Sequence, residues 1–330
     1  MDNLQWLVEN GGPSIKLNMM NEGLIDKNTY DAEKLADKLL QIEKVRTALT
    51  YFDKFKDYES MLPTPYKALA GYIHNCYEDC FEMFMPFFIS LGFRKGVPVF
   101  DEKVEYMRDV YRYLVSVGKG GSGIVIMYML KAGYFYDDML DGLEGLDTIY
   151  NTAKQQCFDI YETDPAKIRY SKLPNEWKNG PILKDIHIDG ELVVPTIYHI
   201  TKIIYLYKYV KDAETKNKID TVIEYVMHPE FQKLRGCLGY GWFYNKSYYA
   251  CSGTLSLPLY EDNAFSRNSL ELMSHSPYAV KTEWYQNCIN YLEQYKTERG
   301  TYAFTDKTAY GSTFDIPRPA TPTIVYDAFI

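Results

Sequence analysis

Apolar residues return along this chain at helical spacing, and the helices they mark end in aromatic–glycine corners. Ile219, Val222, Ile223, Val226 and Met227 fall at i, i+3, i+4, i+7 and i+8, one apolar face of a helix predicted over roughly 214–235. The corner Gly239-Tyr240-Gly241-Trp242-Phe243 follows it. Trp284, Cys288, Tyr291, Leu292 and Tyr295 repeat the pattern over 282–297, with Gly300-Thr301-Tyr302-Ala303-Phe304 after them. Leu35, Leu39, Ile42, Leu49 and Phe52 make another such face, as do Val104, Met107, Tyr111 and Leu114. A chain written this way buries helix against helix, in pairs laid side by side around a common core.

The breaks are well marked. Gly11-Gly12-Pro13 opens the second helix, and Leu62-Pro63-Thr64-Pro65 separates the first hairpins from a long apolar segment. Gly118-Lys119-Gly120-Gly121-Ser122-Gly123 parts Val104–Val117 from Ile124–Gly133. Pro195 suits the first turn of a helix whose inner face is Ile200, Ile203, Ile204 and Tyr207. From Glu162 to Val194 the chain carries Pro165, Pro174, Pro181, Gly180 and Gly190 with little periodicity, and reads as a long loop with short helices. Gly241–Tyr249 is a short strand candidate, and the tail over 305–330, with Pro317, Pro319 and Pro322, reads as extended chain. No linker or shift in charge pattern divides the sequence. The expectation is a single all-α domain over 1–330, of about ten to twelve helices.

Composition excludes some partners. A net charge of −8, with signs interspersed and no Lys/Arg run, argues against nucleic acid. The most apolar window, Phe81 to Phe93, is interrupted by Glu82 and Pro86 and is too short for a membrane span. The start, Met1 to Trp6, lacks a basic segment followed by an apolar one. The expected location is therefore cytoplasmic, with Cys76, Cys80, Cys157, Cys237, Cys251 and Cys288 reduced. Tyrosine is abundant, at 32 of 330 residues. Buried tyrosines need a partner for the hydroxyl, so this number points to a large amphipathic surface such as a cavity wall. An AT-rich coding bias accounts for the same count.

Helical hairpins of about 45–55 residues with such corners resemble the α/α-toroid superfamily. It includes terpenoid cyclases, protein prenyltransferase β subunits and squalene-cyclase-type repeat proteins. Lys218–Trp242 resembles one such hairpin, and Glu271 through Lys281-Thr282-Glu283-Trp284-Tyr285 to Tyr302 another. The resemblance covers about residues 1–304. It implies a central cavity, lined here by Tyr240, Trp242, Phe243, Tyr244, Tyr248, Tyr249 and Trp284, whose rings would stabilise a cation or stack on a sugar. The activity implied is that of a lyase, isomerase or transferase acting on isoprenoid-like or other apolar substrates. A non-catalytic toroid binding a peptide, a glycan or another protein is the alternative. A six-hairpin carbohydrate-active enzyme is the third reading. It needs two carboxylates about 5–10 Å apart, from Asp189 or Glu191 and from Glu261 or Asp262.

Tyr136-Asp137-Asp138-Met139-Leu140-Asp141-Gly142 is the sharpest local motif. On an α-helix Asp137 and Asp141 share a face with Asp138 alongside, a set that holds Mg²⁺ and through it a diphosphate. It resembles the DDxxD motif of prenyl and terpene synthases. Their second metal motif is matched only by Asp262 and Ser266, with Glu271 one place off, which turns that carboxylate by about 100°. His187 lies among Asp185, Asp189 and Glu191, so His187 and Asp189 are acid–base candidates. Zinc on His74, Cys76 and Cys80 is a weaker assignment than magnesium, because His74 sits about 200° around a helix from Cys76. The cysteines read instead as small buried hydrophobes. Gly118–Gly123 lacks the spacing of a phosphate loop and reads as a hairpin turn. His199, His228 and His275 read as structural. The partner expected is a small molecule or a peptide, and nothing in the sequence sets an oligomeric state.

Overall fold

A computed structural model of the chain describes residues 3–56, 58, 65–74, 77–117, 121–163, 182–184, 194–232, 241–244, 247–250 and 270–296. The structure is predominantly helical and packs as two compact units, the first running to Met139 and the second covering Leu140–Gln294. The boundary falls inside a 3-10 helix, Asp137–Leu143, which is why no linker composition marks it.

In the first unit α1 (Asn3–Asn10) and α2 (Pro13–Asn21) are parted by Gly11-Gly12, with Pro13 in the first turn of α2. Next come α3 (Ala32–Leu40), α4 (Glu43–Thr50) and a 3-10 turn, Tyr51–Phe55. The apolar face from Leu35 to Phe52 is therefore not one helix. The chain breaks at Gln41-Ile42, yet Leu35, Leu39, Leu49 and Phe52 are all buried. The periodic signal survives because the break leaves the same side of the chain facing the core.

The later elements are α5 (Pro65–Ile73), α6 (Phe81–Ser90), α7 (Pro98–Ser116) and α8 (Ser122–Lys131). Cys80 is not inside a helix, as a face shared with Cys76 requires. It caps α6, and its Sγ donates to the Ile73 carbonyl at 2.9 Å. Cys76 lies outside the described residues.

Phenylalanines form the centre of this unit. Phe52 meets Phe84 at 4.8 Å and Phe100 at 5.8 Å, both edge-on. Phe88 meets Phe93 edge-on at 5.2 Å and Phe100 at 5.5 Å. All five are essentially without solvent contact. Such ring pairs add about 0.5–1.5 kcal/mol each beyond their area burial. Gly92 ends α6 at φ +89°, where a Cβ would lie 2.6 Å from the Leu17 side chain. The amides of Asn18 and Asn21 donate to the Ser90 and Gly92 carbonyls at 2.9 and 2.8 Å, holding α2 against this corner.

The second unit contains α9 (Leu146–Lys154), α10 (Ile197–Leu206), α11 (Ala213–Met227), α12 (Pro229–Gln232) and α13 (Glu283–Glu293). A 3-10 turn, Ala279–Lys281, precedes α13. The helix expected over 214–235 stops at Met227, because Pro229 has no N–H to continue it. Pro195 sits one place before the cap residue Thr196 rather than in the first turn.

Beside these helices lies a small four-stranded sheet in the order β1-β2-β4-β3, with β1 Tyr161–Thr163, β2 Ile182–Leu183, β3 Gly241–Tyr244 and β4 Ser247–Ala250. The strand candidate at 241–249 forms the β3–β4 hairpin, with Trp242 opposite Tyr249 and Phe243 opposite Tyr248. The proline-containing stretch contributes β1 and β2. The rest of that stretch, the corner at 300–304 and the tail at 305–330 lie outside the described residues. Among the described residues no helix is long and apolar enough to cross a membrane.

In urea titrations Phe88→Ala should cost about 3–5 kcal/mol, the range for removing a buried aromatic ring. Gly23, at φ +71° with open space around it, should lose only the about 1–2 kcal/mol of left-handed strain on change to Ala. Gly92→Ala should cost clearly more than Gly23→Ala. Equal losses would show that the close approach to Leu17 is relaxed.

Candidate functional site

The acidic motif does not form the cluster that its α-helical reading requires. Asp137–Leu143 is a 3-10 helix, in which a four-residue step turns the chain by about 120° rather than returning it to one face. Asp137 and Asp141 are both exposed. Asp138 is taken up by α7: Arg112 Nε donates to its Oδ2 at 2.7 Å, and Tyr111 donates to its backbone carbonyl at 3.2 Å. Arg112 is held more firmly protonated by this carboxylate. The same side of α7 receives Tyr134, whose hydroxyl donates to Asp101 at 2.6 Å, and Tyr136, which donates to Glu105. Desolvation first, and then those carboxylates, push both phenols above their ordinary range. The Arg108 guanidinium stacks 3.8 Å from the centre of the Tyr136 ring. This face is a braced structural seam. Among the described residues no group of His, Cys, Asp and Glu is arranged to hold a metal ion.

The second unit holds polar atoms of another kind. Asp220 on α11 has one oxygen, Oδ1, buried without a hydrogen-bond partner, while Oδ2 receives only a long 3.4 Å bond from Tyr207. Burial raises the Asp220 carboxyl above the usual range, outweighing Tyr207 and the lysines Lys281 and Lys216. Lys216 lies 5.2 Å over the Tyr207 ring. Tyr278 is near enough to feel Glu224 and Asp220, and desolvation is the main cause of its raised pKa. Three residues beyond Lys281, Trp284 enters the first turn of α13, capped by Thr282. Its indole Nε1 is also buried without a partner. Tyr285 beside it is partly buried, and desolvation raises its phenol too. Asp220 on α11 thus carries one unsatisfied acceptor, and Trp284 on α13 one unsatisfied donor. Such groups are rare in folded proteins, and each calls for an explanation.

Of the cavity set expected from sequence, Trp284 is found here. Trp242 and Tyr244 lie on β3, and Tyr248 and Tyr249 on β4, as backbone positions. Tyr240, His187, Asp189, Glu191, Glu261 and Asp262 lie outside the described residues, so the acid–base pair and the carbohydrate-type carboxylates are not placed. His74, a candidate zinc ligand, pairs with Glu82. His228 stacks on Phe158 at 4.6 Å, and His275 packs against Tyr205 at 5.0 Å. Asp220 is one of several polar residues on the amphipathic α11, and His199 and Lys202 are polar residues on the otherwise apolar α10, so none of them carries a sequence signal for a site. No protein-family model, no curated protein and no solved structure matches the chain.

The histidines should separate clearly in a proton NMR titration. The Glu82 carboxylate beside it raises His74 above the ordinary ~6.5. Burial lowers His199 to about 4. The His74 pairing stabilises the fold below its unfolded pKa and is lost as pH rises through the folded value. Neutral His199 does the reverse, its contribution being present above about 6.5 and lost as pH falls toward 4. Glu82→Gln should lower the His74 midpoint and leave that of His199 in place. A His74 midpoint unmoved by Glu82→Gln would contradict the pairing.

Proposed function

We propose that this protein binds an apolar, isoprenoid-like ligand on the half-buried aromatic surface around Trp284, on a helical scaffold arranged as an α/α toroid. The carrying observation is the buried indole N–H of Trp284, which lacks an acceptor. A ligand oxygen supplies that acceptor, and the Asp220 Oδ1 atom accepts from a ligand hydroxyl or amine in the same way. The partly buried rings of Tyr285, next to Trp284 in sequence, and of Tyr278, six residues before it, are sources of apolar area, in keeping with the high tyrosine count. Supporting the toroid, helices that follow one another pack as neighbours: α1 on α2, α2 on α3, α5 on α6, α7 on α8 and α10 on α11.

The binding is independent of divalent metal. A synthase-like reading needs Asp137, Asp138 and Asp141 to converge, and the Arg112 pairing of Asp138 with the exposure of Asp137 and Asp141 weighs against it. Binding without turnover is the form of the proposal these positions favour.

Tryptophan fluorescence titration with farnesol and with farnesyl diphosphate tests this. Both should bind saturably and alike in EDTA and in Mg²⁺. Trp284→Phe, which keeps a ring and removes the N–H, should weaken both by about three- to tenfold, the value of one hydrogen bond. Binding of the diphosphate alone, dependent on Mg²⁺ and abolished by Asp137→Asn, would overturn the proposal in favour of a metal-dependent enzyme.

A further inference from the structure

The corner between α5 and α6 is closed by two bonds that lie side by side in sequence. Helix α5 ends at Ile73, and its last carbonyls have no partner within the helix. Cys80 stands at the cap of α6, where a serine or an aspartate would turn its side chain onto the amides of the helix it opens. The thiol makes no such bond and turns back instead, donating to the Ile73 carbonyl at 2.9 Å. His74, the residue after Ile73, forms an ion pair through Nδ1 with Oε2 of Glu82, in the first turn of α6. Ile73 and His74 thus hold Cys80 and Glu82 across one corner, by one buried bond and one half-exposed bond.

Both charges suit their positions. A cation is favoured at the end of α5 and an anion in the first turn of α6. Glu82 holds the imidazole charged to higher pH than usual, outweighing its partial burial, and no other charge among the described residues shifts it. From the Tyr51–Phe55 turn, Lys54 reaches this corner, where it pairs with Asp79 and feels Cys80. From α8, the Tyr128 ring packs edge-on against Phe81 at 6.0 Å. Among these groups imidazole is the one whose ordinary pKa lies near neutral.

We propose that the α5–α6 corner is a pH-operated latch: the charged His74–Glu82 pair holds it shut, and loss of the imidazole proton loosens it and uncovers the Cys80 thiol. The His74 side chain is 47% exposed, so its proton exchanges with water while the corner is still closed. Cys80 has no solvent contact in the closed form. Once water reaches the thiol, the nearby Lys54 cation favours its thiolate. The closed corner binds the imidazole proton more tightly than the open one. Closure is therefore favoured at low pH and weakened as pH rises through the His74 midpoint. The inference concerns the first unit and does not rest on the Trp284 surface.

Alkylation of the intact chain tests it. The folded protein, with its thiols reduced, is treated with iodoacetamide from about pH 5.5 to about 8, the range in which imidazole titrates. Fragment-ion mass spectrometry reads each cysteine and separates Cys80 from Cys76. Each rate is divided by that of the same cysteine in the urea-unfolded chain at the same pH, which removes the ordinary ionisation of the thiol. Protection of Cys80 should fall about two- to fivefold across this range, the change that one partly exposed ion pair supports. Cys288, buried in α13, should show no such step. The step should also be insensitive to urea below the unfolding transition, because opening one corner exposes little surface. Glu82→Gln should leave Cys80 at the weakly protected level at every pH. Level protection of Cys80 in the parent chain overturns the proposal. The same step at Cys288, or a step that grows with urea, marks wider unfolding and overturns it as well. These readings need no variant to fold. A folded Glu82→Gln that keeps the step also overturns the latch.

Discussion

A polar atom removed from water must find a partner or cost the fold about 1–3 kcal/mol. The described residues meet that constraint in two ways. In the first unit phenylalanines form the centre of an otherwise aliphatic and methionine-rich interior, which makes no such demand, and the polar groups beside it are braced. Tyr134 is tied to Asp101, and Asp138 to Arg112. The isolated buried atoms there, Arg108 Nε and Asp138 Oδ1, belong to side chains otherwise held by a ring stack and an ion pair. In the second unit Trp284 Nε1 and Asp220 Oδ1 have little or nothing in compensation, and the Lys202 ammonium is desolvated without an ion pair.

This contrast sets what each unit is suited to do. An interlocked set of aromatic rings is rigid and has no spare hydrogen-bonding capacity. Half-buried aromatics with free polar tips are costly unless something fills them, and such costs concentrate at binding and reactive sites. On the proposed reading the Trp284 indole follows this logic: its N–H is a donor in a dry setting, where its interaction with a ligand would be stronger than in water.

Much of the helical layout is legible in the sequence because burial writes a period of 3.6 into it. Val104, Met107, Tyr111 and Leu114 mark α7, and the pattern around Trp284 and Cys288 marks α13. The Gly11-Gly12-Pro13 break and the strand candidate at 241–249 also correspond to observed elements. Periodicity says nothing of where one helix yields to the next without changing face, so the break at Gln41-Ile42 is invisible. It also does not distinguish α from 3-10 winding. That difference decides the geometry of Asp137 and Asp141, whose four-residue spacing means one face in the first and separate faces in the second. Asp220, His199 and Lys202 have no motif at all. The burial of Asp220 beside Tyr207 and Lys281 comes from residues distant in the chain. His199 is instead set by its neighbours Thr196 and Lys202, a local spacing that signals a helix cap and not a site.

The central claim is that the unsatisfied polar groups of the second unit are kept for a ligand and not for stability. Its most direct test is the stability of Asp220→Asn in urea at neutral pH, without any ligand. Burial raises the folded pKa of Asp220, so its charge opposes folding at neutral pH, and the neutral isostere relieves that opposition. The account predicts a protein as stable as the parent or more so. A loss of about 1 kcal/mol or more, the size of a net hydrogen bond, would show that Asp220 is a structural anchor and contradict the claim.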